Sequence, residues 1–338
     1  MINFVIKYLL ILLISFPFFF SASAQTKSAQ KFPASFTKDK NFNSDILNPS
    51  IQKIVFDFPP IDSVKTNFTP SDNKSKINLT KFGIVSGASL SILGGIYYRM
   101  KTAWWSDGHI KFHFAYEYEY AKNVDKVGHF YGGILFTECF GSGLKWAGFN
   151  DESSLLYGAM FSTLVYTGIE IKDGFSPDWG FDVGDIGSSV LGSFYPYMQK
   201  KISFLKDFNF KYSYFPSHST FYKNMNKESK NNQFFNDDYE GETFWLSADL
   251  KTLLPEKINT FIPDFLNLAC GISVENLADA ANKHRVFVIS PDIDLTKLFK
   301  TDNEFLKNLF HLLNYIHIPL PALQVSPHVK GYVLYLKP

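Results

Sequence analysis

The chain has 338 residues, 46% of them hydrophobic and 19% charged, which is enough apolar material for a buried core and excludes disorder throughout. A formal net charge of +1, with no Lys/Arg cluster on a helix or loop, argues against nucleic acid as a partner. The aromatic fraction of 17%, with 36 Phe and 18 Tyr, suits cores, membrane interfaces and β-surfaces alike.

Lys7, the run YLLILLISFPFFF and the small residues SASAQ follow the charged, apolar and cleavable order of a secretory signal over residues 1–24. The apolar stretch falls short of the ~20 residues a spanning helix needs, and Pro17 interrupts it, so cleavage after Ala24 is preferred to an uncleaved anchor. Export to the cell envelope follows, periplasmic or membrane-associated. No Cys stands near the cleavage point to accept a lipid, so the chain does not read as a lipoprotein. Residues 25–77 are rich in Lys, Asn, Ser, Asp and Pro and read as a flexible leader; within it IQKIVFDFPP forms an edge strand at most, stopped by Pro59 and Pro60.

Residues 78–200 read as a helical domain. The first helix starts near Asn78 or Thr80 and runs through KFGIVSGASLSILGGIYYRM, where Gly83, Gly87, Ala88, Ser91 and Gly94 recur three or four apart. That spacing admits a second backbone, as in packed membrane helices, and equally suits a helix of a soluble bundle. The stretch KFHFAYEYEYAKNV alternates apolar and polar residues as a half-exposed strand or arm does, with His113, Glu117 and Glu119 on the wet face. A second helix reads DKVGHFYGGILFTECFGSGLKWAG, with Asp125 as its cap and Lys126 pointing away from the face shared by Asp125 and His129. Asp151 caps a third helix whose last turn carries Glu170, with Asp173 just beyond. A fourth begins near Asp185 and is ended by Pro196.

Short links between these helices favour antiparallel neighbours. The start of helix two, the end of helix three and the start of helix four then fall at one end, which gathers Asp125, His129, Glu170, Asp173 and Asp185 into one polar pocket.

Residues 201–338 change texture. FNFKYSYFP, TFWLSADLKTLL, LNLACGISVEN, HRVFVISPDIDL and KGYVLYL read as strands of a small antiparallel sheet, with one helix, NEFLKNLFHLLNYI, among them. The polar run KNMNKESKNNQFFNDDYEGE reads as a linker. Five or six strands are too few for a membrane barrel of the usual size. The expected fold class is α+β: an antiparallel four-helix bundle, soluble or membrane-embedded, followed by a β-rich C-terminal region. Cys139 and Cys270 are the two cysteines; export permits a disulfide, yet Cys139 sits in an apolar helix pattern as a small hydrophobe would.

At DKVGHF, EIKDGFS and the D-x-x-x-S-x-x-G of Asp185, Ser189 and Gly192, the chain resembles the YfiM-like family of predicted bacterial periplasmic lipoproteins, a domain of unknown function. More distantly it is similar to the VanZ family of small membrane proteins linked to glycopeptide resistance. The resemblance covers about Trp104 to Pro196, and Ser189 stands where the family usually has Asn or Asp, Asp182 where it often has Ser. It implies an envelope protein with a helical core and brings no established reaction.

For the pocket, three readings stand. One is a buried network in which Lys126 pairs with Glu170 or Asp173 and His129 bonds a carboxylate, fixing helix register. Another is a site that uses His129, Glu170, Asp173 and Asp185 to hold Mg²⁺, Mn²⁺ or Zn²⁺, or Glu170 or Asp185 as general base with His129, in a hydrolase acting on an envelope lipid or cell-wall precursor. No His-Glu-x-x-His, Gly-x-Ser-x-Gly or phosphatase-type Arg cluster accompanies it, and DGFSPDWGFDVGD lacks calcium-loop spacing. The third is a scaffold that binds a membrane or envelope lipid, with the C-terminal region docking a protein partner.

Overall fold

The structure, a computed structural model, describes residues 77–116, 120–217, 238–277, 279 and 281–336. The signal, leader and early edge-strand expectations, those for Glu117 and Glu119, and most of the polar linker fall outside the described residues.

The described chain is α+β. Four long helices, α1 (Leu79–Ala103), α2 (Val124–Trp146), α3 (Asp151–Asp173) and α4 (Val183–Lys201), precede the strands. They alternate in direction. Asn78 N donates to Ala147 O at 2.8 Å, which puts the start of α1 beside the end of α2, and at the other end Trp179 Nε1 donates to Trp104 O at 3.2 Å.

The contact among α2, α3 and α4 is made by small residues. A Cβ on Gly192 would lie 1.9 Å from Phe130 O, and one on Gly133 would lie 2.5 Å from Ser189 O, so neither position admits a side chain without the backbones parting. Thr137 Oγ1 donates to Ser193 O at 2.8 Å, and the hydroxyls of Ser162 and Ser193 are 2.7 Å apart, so the seam is hydrogen-bonded as well as close.

Helix α1 packs differently. Its last turns lay Ile96, Met100 and Trp104 against Phe136 and Tyr166, but a Cβ on Gly83, Gly87 or Gly94 would meet nothing within 4 Å among the described residues. The small-residue stripe expected to admit another backbone is therefore open here. Among the described residues α1 is the one helix long and apolar enough to cross a membrane, and little of it is buried.

Three local expectations are corrected. Asn123, not Asp125, precedes α2, and Asn150, not Asp151, caps α3 by accepting from Ser153 N at 2.8 Å. Pro196 lies inside α4, which continues to Lys201. Tyr195 Oη and Gln199 Nε2, on either side of that proline, both donate to Phe208 O, and this anchoring carries the helix past the missing N–H.

The strands β1 (Phe208–Tyr214), β2 (Glu242–Asp249), β3 (Leu266–Glu275), β4 (His284–Ile293), β5 (Ala322–Ser326) and β6 (Lys330–Tyr332) form an antiparallel meander in chain order. ALQVS of β5 was not among the runs expected to be strands, and KGYVLYL supplies only three strand residues. Short helices α5 (Leu250–Leu253), α6 (Glu256–Asn259) and α7 (Leu295–Leu298) and the longer α8 (Glu304–Leu313) lie between strands, so LKTLL leaves the sheet. On one sheet face Tyr212, Phe244 and Val274 pack against Tyr131 and Leu135 of α2, while Leu246, Leu268, Phe287, Ile289 and Leu323 are exposed. The opposite face buries Trp245, Val286 and Val288 under Tyr335. Cys139 and Cys270 are not joined by a disulfide.

Candidate functional site

The site is built where α2 begins, α3 ends and α4 begins. The backbone reaches it through Ala121, Lys122 and Asn123, three successive non-glycine residues with φ of 40°, 54° and 64°. Left-handed conformations cost such residues on the order of 1 kcal/mol each and persist only where surrounding contacts impose them. Here Ala121 is buried in the helix–sheet core and Arg285 Nε donates to Lys122 O at 2.6 Å. The strain delivers Asp125, Lys126 and His129 into the interior.

All of the residues expected to converge do so. Ligand atoms of His129, Glu170 and Asp185 lie within 4.8 Å of one another, and all three residues are buried. With Asp125 and Asp173 they line a cavity of about 30 Å³, roofed by Trp104, Trp179 and the rings of Tyr120 and Tyr239. It has room for one or two occupants the size of a water. Ser189, also buried, faces His129, with Oγ 3.1 Å from Nδ1.

The pairing differs from the expected network. Lys126 bonds neither Glu170 nor Asp173; its Nζ lies 2.9 Å from Asp185, 3.3 Å from Asp182 and 3.4 Å from Asp125. Although it leaves the face that carries His129, its long stem swings back over the helix start. His129 takes its hydrogen bond from the Ser189 hydroxyl or gives one to it, and its Nδ1 stands 4.0 Å from Glu170. Trp105 Nε1 donates to Asp173 at 2.6 Å. Asp182 was not singled out from the sequence as a site residue. It caps α4 through Gly184 N and accepts from Lys126, and an Asp directly ahead of a helix start is a readable cap signal.

Glu138, by contrast, lies near the other end of α2, where it pairs with His311. His113 belongs to the arm alongside residues 174–181, with its N–H on Gly174 O.

Five carboxylates thus share a confined space with one ammonium. Burial, followed by the charges of Asp173 and Asp185, pushes Glu170 up to about 10, and burial with Asp185 pushes Asp125 up to about 7 against the pull of Lys126. Burial also raises Asp173 to about 7, against the Trp105 hydrogen bond, and it lowers His129. Without a counter-ion Glu170 keeps a proton and His129 is neutral. Among the described residues, Oδ1 of Asp125 is a buried oxygen with no hydrogen-bond partner, on a residue 3% exposed that lines the cavity. Carboxylate oxygens with a neutral imidazole form a hard-to-borderline donor set for a divalent cation.

Residues 114–201 match the model of a family described as predicted periplasmic lipoproteins, DUF2279. The matched segment is roughly a quarter of the chain and contains α2, α3, α4 and every one of these ionisable residues. The YfiM-like resemblance is this family; the VanZ-like part is left without support. The description agrees with an exported protein of the cell envelope and names no activity, and its lipoprotein label is at odds with the expectation of a chain without lipid. No curated protein and no solved structure matches the chain.

Proposed function

We propose that this exported envelope protein holds one divalent cation between α2, α3 and α4, ligated by His129, Glu170 and Asp185 and completed by Asp125. The observation that carries the reading is the cavity itself: three buried ligand atoms within 4.8 Å beside a fourth oxygen with no hydrogen-bond partner. An isolated buried carboxylate costs several kcal/mol, and a cation of charge +2 offsets more than one of them at once. The imidazole favours Mn²⁺ or Zn²⁺ over Mg²⁺. Lys126 and Asp182 hold the start of α4 against the start of α2 and so keep Asp185 aimed inward. A cavity this small takes an ion and a water, which suits a cation that braces the bundle; a hydrolytic role on an envelope lipid or cell-wall precursor would need Trp104 and Trp179 to move aside. Association with a membrane surface belongs to the same reading, supported by the exposed apolar length of α1.

Metal analysis of purified protein, wild type against His129→Ala and Glu170→Ala, tests it. One equivalent of Mn²⁺ or Zn²⁺ in the wild type, lost in both variants and raising the wild-type melting temperature when added back, is expected. Wild-type protein that takes up neither ion, with variants that only melt lower, would leave the pocket as a hydrogen-bonded packing device.

A further inference from the structure

The sheet face that carries Trp245 also buries an ion pair. Lys211 of β1 and Asp292 of β4 are both 0% exposed, with Nζ 2.8 Å from Oδ2. A third group joins them from outside the sheet. Leaving α8, the chain runs along the side of β1 away from β2, where Tyr212 N donates to Tyr315 O and His317 N to Tyr212 O, each at 2.9 Å. That run sets Asn314 against Lys211, whose Nζ donates to Asn314 Oδ1 at 3.1 Å and to Ile293 O at 2.8 Å.

Three features of this contact exceed what a satisfied ammonium requires. The Asn314 oxygen accepts a second bond, from Leu295 N at 3.0 Å, so two donors draw electrons away from the amide carbon. Asp292 Oδ1 is buried with no hydrogen-bond partner, so the carboxylate that faces the ammonium has a lone pair to spare for a proton. His317 Nε2 lies 4.0 Å from Asp292, and its ring stacks on Trp245, each residue 1% exposed, so the charges are shielded from water. A buried ion pair is weak support for a fold, and a reaction that discharges both partners is favoured there.

We propose that Lys211 and Asn314 become joined by an amide bond between Nζ and Cγ, a self-made crosslink in which Asp292 carries the protons. Asp292 takes one proton from the Lys211 ammonium, and the freed lone pair attacks Asn314 Cγ while the Leu295 N–H holds the oxygen that gains charge. Asp292 passes that proton to Nδ2, the Cγ–Nδ2 bond breaks and ammonia leaves, and a second proton from Nζ settles on Asp292. Of the three ammonium protons, one stays on the new amide, one departs with ammonia and one remains on Asp292. Both buried charges are thereby cancelled, and no oxidant or further reactant is required. The link ties β1 to the end of α8 across 103 residues and restricts the unfolded chain as a disulfide does, in a protein whose two cysteines are not joined.

Mass spectrometry of the purified protein, intact and after protease digestion, tests this. The wild type is expected to weigh less than its sequence by one ammonia, and its digest to contain a branched peptide joining Lys211 to Asn314. The branched peptide is the deciding signal, because a mature chain beginning at Gln25 also loses ammonia when that residue cyclises. Lys211→Arg should lack the branched peptide, and Asp292→Ala, checked for folding by circular dichroism, should lack it too. If Asp292→Ala does not fold, the wild-type peptide decides by itself. Recovery of Lys211 and Asn314 in separate linear peptides of the wild type, a link from Lys211 to Asp292 with loss of water, or a branched peptide that persists in folded Asp292→Ala overturns the inference.

Discussion

Asp125 shows how a single side chain can be placed against its own interest. It sits 3% exposed, one oxygen on Lys126 and the other on nothing, with Asp185 close enough to raise its carboxyl further. Under the proposed cation reading, such a residue destabilises the metal-free protein when ionised and stabilises the loaded one. Asp125→Asn is therefore expected to raise the stability of metal-free protein at pH 8 by on the order of 1–2 kcal/mol, read by urea unfolding, while weakening cation affinity at least tenfold. A loss of stability in metal-free Asp125→Asn would show instead that the bond to Lys126 outweighs the crowding. Much of the site was readable at this scale, since Asp, Lys, His and Glu inside Gly-rich apolar segments have few reasons to be there. The direction of Lys126 was not, because which carboxylate a four-carbon stem reaches depends on neighbours brought by another helix.

The helices meet through glycines that look interchangeable in the sequence and are not. Gly187 and Gly192 lie on the same helix, α4, yet a Cβ on the first meets open space and on the second lands on Phe130 O. Gly187→Ala should stabilise by about 0.5–1 kcal/mol, the usual gain for alanine in a helix interior. Gly192→Ala should cost upwards of 2 kcal/mol, because α2 and α4 must separate, and should abolish cation binding by withdrawing Asp185 from His129. Matched melting temperatures for the two variants would contradict this account of the seam. Element type was legible from period and small-residue spacing, while element ends were not. Pro196 reads as a terminator by its own chemistry, and only the anchoring of Tyr195 and Gln199 on Phe208 O lets α4 run on. Likewise ALQVS is too short to stand out as a strand, and it becomes β5 because β4 and β6 offer it ladders on both sides.

At the scale of the whole molecule, the covered face of the sheet carries one acid-sensitive group. His317 stacks on Trp245 at 3.9 Å, 1% exposed, with Asp292 and Lys211 beside it. Burial lowers it to about 4, although Asp292 pulls the other way. Its folded value lies below its unfolded one, so the unfolded chain takes up the proton first, and the contribution of His317 to stability is lost as pH falls from about 6.5 to about 4, by up to ~3 kcal/mol, while the raised carboxyls of Asp125 and Asp173 contribute with the opposite sign. His317→Gln should therefore gain stability relative to wild type as pH falls from about 6.5 to about 4, measured by urea unfolding of both proteins; a difference that does not change with pH would rule out this role for His317. What the sequence by itself determined is the four long helices, most of the strands, the α+β class, and which ionisable residues share one end of an antiparallel bundle, because period, turn chemistry and short connections are local properties. The tertiary structure alone decided that Lys126 closes on Asp182 and Asp185, that Asp125 keeps an unbonded oxygen, and that Lys211 meets both Asn314 and Asp292. Those outcomes depend on distances between side chains remote in the chain, and packing sets such distances where no local pattern can.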